Sequence, residues 1–229
     1  MGADLVGRYE LPDGAAEKIE RLLAALEAEP DPPTTVRHPA QALPVHVADS
    51  LTGLEVADLR RATRIADVGA GAGFPGLALA IALPEAQVDL IEATARKCAV
   101  IERLAERTGL ENARAVPARV EEWAAADGRE AYGAVTVRAV AALPVLVEYA
   151  APLLTEGGVL VAWKGARDEV EERAGDAAAR LLGLSPARVQ RVTPFQGAHS
   201  RHLHVLTKAE ATSSRFPRRS GMAVKRPLG

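Results

Sequence analysis

The stretch IADVGAGAGFPG, Ile65–Gly76, decides the fold: a short apolar run closing on Asp67 and Val68 gives way to four glycines and a proline within eight residues. Glycine removes the Cβ and opens the left-handed backbone, so a loop this rich in it lets another group approach closely. Two templates fit the spacing. Gly71, Gly73 and Gly76 satisfy G-x-G-x-x-G, the dinucleotide fingerprint that brings a helix N-terminus against a pyrophosphate. Asp67, Gly69, Gly71 and Gly73 satisfy D-x-G-x-G-x-G, common in enzymes of S-adenosylmethionine, whose loop hugs the methionine portion. The glycine run alone does not choose between them.

Working outward, apolar periodicity predicts strands over RIADV, QVDLIE, ARAV, YGAVTVRAV and GGVLVAWKG. They alternate with helices over GLALAIAL, TARKCAVIERLAERTG, RVEEWAAA, LPVLVEYAAPLL and DEVEERAGDAAARLLGL. Two strand-like runs then follow, ARVQRVTPF and RHLHVLTKA, joined by a short loop around Gly197 and expected to pair antiparallel. Five βα units and a hairpin make a doubly wound, Rossmann-like α/β sheet, mostly parallel and seven-stranded, with an antiparallel last strand at its edge. Upstream, DGAAEKIERLLAALEAE is an amphipathic helix with Ile19, Leu22, Leu23 and Leu26 on one stripe. PDPPTT stops it, and HPAQALPVHVADSLTGLEVADL reads as short helices interrupted by proline. The expected organisation is a helical lead over 1–60, an α/β domain over 61–209 and a basic arm over 210–229.

The chain of 229 residues is long enough to bury a full core, and its composition, 48% hydrophobic and 25% charged, is that of a globular protein. A net charge of −2 excludes a binder of nucleic acid that is basic throughout. The distribution is uneven: Arg215, Arg218, Arg219, Lys225 and Arg226 give residues 211–229 a charge of +5 with no acid, leaving −7 for residues 1–210. Composition alone fits a basic arm and a solubilising disordered terminus equally. Cys98 is the single cysteine, so no intrachain disulfide forms. No apolar run reaches the length of a membrane span and the N-terminus lacks the pattern of a signal peptide, so a cytoplasmic location away from membranes is expected. In HSRHLH, His202 and His204 share a strand face with His199 near, but no acid or thiolate stands at ligand spacing, and no metal is expected.

Three features favour the sulfonium cofactor. Asp67 places a carboxylate at the strand end beside the bound amino-acid tail, the final hairpin matches a reversed seventh strand, and no separate substrate domain follows. Glu92, closing the second strand, is the acid expected on ribose hydroxyls for either cofactor. A nicotinamide-dependent oxidoreductase therefore stays open, as does a non-catalytic RNA-binding module on the same fold. There is no N/D-P-P-F/Y segment for gripping an exocyclic amine, and Cys98 lies within a helix rather than at a strand-end nucleophile position.

Further motifs carry a family resemblance. HVADS (His46, Asp49, Ser50), DVGAGAGFPGLALAI, LENARAVPARVEEW, TVRAVAAL, AWKG, RHLHVL and the terminal RFPRRSGMAVKRPLG together resemble the bacterial 16S ribosomal RNA (guanine-N7) methyltransferases, also called glucose-inhibited division protein B. The likeness runs from about Thr35 to the C-terminus. Phe216 stands for a usual Tyr, Ala223 for a Pro, EAT for D-S-L, and His204 for an apolar residue. The resemblance implies methyl transfer from S-adenosylmethionine to guanine N7 in the small-subunit ribosomal RNA. It also implies cofactor contacts from the glycine loop (Gly69, Gly71, Phe74), from Glu92, Ala93 and Thr94, from Val120 and Glu121, and from Arg138. Such chemistry needs no general base, because N7 offers a lone pair and carries no proton. Candidates for positioning the RNA are Arg138, Lys164, Arg201 and His202 near strand ends, with His46 and Asp49 upstream. Trp123 and Trp163 are read as packing.

Overall fold

The structure, a computed structural model, describes residues 2–229. Helices α1 (Gly2–Tyr9) and α2 (Ala15–Ala28) lead into a helical run of α3 (Pro39–Ala42), a π turn (Leu43–Ala48), α4 (Asp49–Leu51), a 3-10 turn (Thr52–Glu55) and α5 (Ala57–Arg61). The alternation follows as β1 (Arg64–Val68), α6 (Gly76–Ala82), β2 (Gln87–Glu92), α7 (Ala95–Thr108), β3 (Ala113–Pro117), α8 (Val120–Ala124), β4 (Tyr132–Arg138), α9 (Leu143–Ala150), β5 (Leu154–Lys164) and α10 (Glu169–Leu182). β6 (Arg188–Val192), β7 (Arg201–Thr207) and the short α11 (Met222–Lys225) complete it.

The seven strands lie in the order β3-β2-β1-β4-β5-β7-β6. β1 to β5 pair in parallel, and β7 is antiparallel to both β5 and β6. The reversed strand is thus not the edge that the hairpin predicts; it inserts between β5 and β6. Burial explains the choice: Leu203–Leu206 of β7 are all buried, whereas β6 buries only Val192 and exposes Arg188 and Arg191, as suits an edge. Helices α2, α6 and α7 cover one face of the sheet, and α9 and α10 cover the other with the arm.

Ile19, Leu22, Leu23 and Leu26 of α2 are buried, and α2 packs against α7. There Arg103 grips the buried Glu29 with two bonds, 2.6 and 3.2 Å. α1 has no strong signal in the sequence, being eight residues long; its Leu5 and Tyr9 are buried, and Arg8 donates to the Thr193 carbonyl at 2.8 Å.

The arm is folded, which its composition left open. Thr212, Phe216 and Ala223 are buried, and Arg129 donates to the carbonyls of Phe216 (2.8 Å) and Thr212 (3.0 Å). Lys208 is buried at the arm's root, held by Thr212 and the Ala151 carbonyl, and desolvation lowers its pKa to about 8. Arg218 takes both oxygens of the buried Glu148 on α9, at 2.6 and 2.5 Å. Truncating one partner of such a pair strands a carboxylate without water. Arg218→Ala is therefore expected to lower stability by about 3 kcal/mol, seen as a lower urea midpoint with an unchanged slope.

Candidate functional site

The glycine loop leaves β1 and turns sharply. Gly69 (φ +68°) donates its N–H to the Ile91 carbonyl at 2.9 Å, so the turn is stitched to β2. A Cβ on Gly69 would lie 2.7 Å from a methyl of Val140, and one on Gly76 would meet Leu90 and Asp67 at 2.7 and 2.9 Å. A side chain at Gly69 would be strained by its positive φ, and one at Gly76 would have to displace the buried Leu90 and Asp67. Asp67 faces inward rather than beside a ligand's tail. Its Oδ2 accepts from the Gly76 N–H at 2.9 Å, and its Oδ1 lies 3.1 Å from the Thr136 hydroxyl. Only 1% of Asp67 is exposed, and desolvation pushes its pKa up to about 7. The first amide of α6 is therefore taken by the chain's own carboxyl, where a dinucleotide loop would offer it to a pyrophosphate.

Glu92 closes β2 with its carboxylate turned back on the loop. Oε2 accepts from the Gly71 N–H at 3.2 Å and Oε1 from the Thr94 N–H at 2.9 Å, while Lys97 stands 3.7 Å away. Beside it opens a crevice of about 150 Å³, walled by Gly69, Glu92 and Ala93 on one side and by Arg119, Val120 and Glu121 on the other. Val68, Ile91, Val140 and Tyr149 give it an apolar lining. Across the segment Ala139–Ala141 lies a larger cleft of about 400 Å³, at the ends of β4, β5 and β7. His46, Asp49, Arg138, Lys164, Arg201 and His202 all line it. Ala139, with φ +56°, forms the sharp turn of the partition, whose Ala141 carbonyl is held by Lys164 at 3.3 Å.

Within the cleft, Asp49 is bound by Arg138 at 3.0 Å, with Arg201 at 3.7 Å from its other oxygen. Burial and the Arg138 charge lower the pKa of His46. Its Nε2 lies 2.9 Å from the Val36 carbonyl, which assigns the proton to Nε2 and leaves Nδ1 toward Arg138 at 3.5 Å. Lys164 is paired with Glu171 at 2.5 Å. His202 Nδ1 donates to the Gly165 carbonyl at 2.9 Å, leaving Nε2 as an acceptor.

The sequence thus brought its six positioning candidates to one cleft. Among the cofactor candidates, Gly69, Glu92, Ala93, Val120 and Glu121 wall the crevice, and Gly71 and Thr94 reach it through Glu92. Two stand apart. Arg138 faces the cleft because Asp49 draws its guanidinium there. Phe74 lines neither hollow; it is buried, stacked on the His46 ring at 4.8 Å. Trp163 packs in the core against Gly53 as expected, with its indole N–H on the Asp49 carbonyl at 2.9 Å, and it also lines the cleft. Val140, Arg119 and Tyr149 also wall the crevice; Val140 and Arg119 share a signal, each two residues beyond a strand end, and Tyr149 has none. Cys98 lies 3.2 Å from the Glu92 carbonyl, buried with its thiol pKa raised, so it is no nucleophile at neutral pH. His204 is buried against Glu172 at 3.1 Å, and among the described residues no group of three or more metal-ligating side chains occurs.

This sheet order, with a reversed strand inserted beside the last parallel one and a glycine loop after the first, defines the class I methyltransferase architecture. A S-adenosylmethionine-dependent O-methyltransferase from Thermotoga maritima superposes on 84% of the chain, covering 72% of its own, with a TM-score of 0.57 at 15% identity. A sequence model of the rRNA small subunit methyltransferase G (GidB) family matches residues 33–204, and the chain belongs to that family. Curated relatives named ribosomal RNA small subunit methyltransferase G include one from Rubrobacter xylanophilus, 46% identical over 84% of this chain and 75% of its own. Another, from Deinococcus radiodurans, is 38% identical over 99% of this chain and 90% of its own.

Proposed function

We propose that the chain transfers the methyl group of S-adenosylmethionine to N7 of a guanosine in 16S ribosomal RNA. The observation that carries this reading is the pair of hollows on one sheet edge, an acid-walled crevice beside a cation-lined cleft, divided only by Ala139–Ala141. The cofactor fits the crevice by its donor and acceptor groups. Glu92 offers acceptors for ribose hydroxyls, Val120 and Glu121 an apolar wall and an acceptor for adenine, and Gly69 a bare backbone for the amino-acid tail. Bound there, it supplies an electrophilic methyl group. An rRNA substrate fits the cleft's cations, and it would place the chain in the cytoplasm, where ribosomes are assembled. No helix among the described residues is long and apolar enough to cross a membrane.

The protein's own work is alignment and shielding. Arg138 and Arg201 meet phosphate or the base edge, Asp49 holds both guanidinium groups in place, and Trp163 gives the cleft a flat apolar wall. Guanine N7 presents a lone pair and no proton, which suits a cleft where His46 bonds Val36 and faces Arg138. Asp49 pairs there with Arg138 through Oδ2, and its buried Oδ1 has Arg201 at 3.7 Å and no hydrogen-bond partner among the described residues. His202 keeps one free ring nitrogen, and this allows a sharp check. His202→Ala is expected to lower kcat by less than about 10-fold, whereas a general base contributes about 100- to 10,000-fold. A loss in that larger range, accompanied by the disappearance of a limb from the pH profile of kcat, would mean that the acceptor carries a proton and is not N7.

Small subunits from cells lacking the enzyme, incubated with the purified chain and labelled S-adenosylmethionine, test the reading as a whole. Nucleoside digestion should yield label in 7-methylguanosine from 16S rRNA. Label in another nucleoside, or none, would overturn it.

A further inference from the structure

Five cations stand in residues 211–229 without one acid, yet only Arg218 is used in an ion pair. Arg215, Arg219, Lys225 and Arg226 are exposed, and among the described residues no carboxylate lies within salt-bridge distance of any of them. The backbone that carries them is nevertheless fixed. Phe216 and Ala223 are buried on the α9 face, Arg218 locks to Glu148, and the Arg218 guanidinium also donates to the Arg226 carbonyl at 2.8 Å. A terminus serving only solubility gains nothing from being ordered.

The place where it is ordered is informative. The Gly221 N–H donates to Glu121 Oε1 at 2.8 Å, and the Ser220 hydroxyl to Glu122 at 3.2 Å. Glu121 is itself a wall of the crevice, so the arm and the crevice share a residue. Gly221 meets that carboxylate with φ +81°, a conformation that glycine adopts without strain. The acids nearest the arm, Glu121, Glu122 and Glu148, are thus engaged by its backbone, its serine and Arg218, and the four remaining cations stay unneutralised.

We propose that the C-terminal arm is a second RNA-binding surface. Arg215, Arg219, Lys225 and Arg226 hold phosphates flanking the target nucleotide, and the Gly221–Glu121 bond ties the segment that carries them to a wall of the crevice. This rests on the reading of the chain as an rRNA methyltransferase. The RNA then lies across the partition, with its target base in the cleft and its neighbouring backbone on the arm. A preordered row of cations loses little conformational freedom when phosphate arrives, and each contact releases condensed counterions.

The test compares the wild-type chain with R215Q/R219Q/K225Q/R226Q and with R215K/R219K/R226K, on small subunits from cells lacking the enzyme. The glutamine variant should fold with an unchanged melting temperature and an unchanged cofactor Kd measured without RNA. Its RNA affinity should fall at least about 10-fold near 0.1 M salt, and its plot of log Kd against log salt should be shallower by about 3, for four lost phosphate contacts. The lysine variant should keep the wild-type slope. Equal affinity and slope for the glutamine and wild-type chains would overturn the arm's role. If the wild-type chain transfers no methyl group to rRNA, the functional reading falls instead, and the salt slopes still decide whether the arm holds RNA.

Discussion

Replacing Glu92 by alanine is expected to raise the dissociation constant for S-adenosylmethionine about 100-fold while leaving the melting temperature nearly unchanged. A hydrogen bond to a charged group contributes roughly 1.5–3 kcal/mol net, so two of them to a ribose diol are worth about 3 kcal/mol or more, and 1.4 kcal/mol is tenfold in affinity. The fold should survive because Gly71 is half-buried and Thr94 exposed, so water replaces the acceptor that their amides lose. S-adenosylhomocysteine carries the same ribose without the sulfonium charge, so its affinity should fall by the same factor. A loss confined to S-adenosylmethionine would mean that Glu92 acts on the positive sulfur, and unchanged affinity for both ligands would remove it from the proposed site.

What the sequence made legible follows the range of the forces involved. Strand and helix periodicity is local, so the βα alternation and the stripe on α2 could be read directly, and the glycines marked the loop because backbone conformation is also local. The strand ends then followed from topology, which is why Glu92, Val120, Glu121, Arg138 and Lys164 fell along one edge. Pairings across long separations left no such trace. Nothing in RFPRRSG announces that Arg218 will find Glu148, or that the Gly221 amide will find Glu121 across 100 residues. Trp163 packs as its sequence implies, but that it also lines the cleft depends on Gly53 and Thr52, more than 100 positions earlier. The hairpin's insertion was likewise hidden: the sequence predicts that β6 and β7 pair, whereas which of them meets β5 depends on the apolar surface each must bury.

Asp67 is the case in which local pattern misled, and it carries the other large effect. Asp67→Asn is expected to leave stability below pH 4 within about 1 kcal/mol of wild type, and to raise it by about 2 kcal/mol at pH 5 and about 4 kcal/mol at pH 8, order-of-magnitude figures. The carboxyl titrates near its ordinary value of 3.8 when unfolded but at about 7 when folded, because burial disfavours the charge more than the Gly76 amide and Thr136 hydroxyl restore it. Between those values the folded chain binds the extra proton. The stabilisation is therefore whole at low pH, shrinks as pH rises past 4, and is gone once pH passes 7. The proton has a place to sit: on Oδ1 it donates to Thr136 Oγ1, which in turn lies 3.5 Å from the Ala66 carbonyl. Asparagine reproduces both contacts without a charge, its oxygen on the Gly76 amide and its NH2 on Thr136. Urea unfolding of both chains at pH 5 and pH 8 reads the difference, and parallel curves would show that Asp67 is ionised throughout. Oδ2 accepts the Gly76 amide in either protonation state, so the loop keeps its shape across the titration. Cofactor affinity should accordingly stay level from pH 6 to 8 while global stability declines, a separation that an acid placed beside the ligand would not produce.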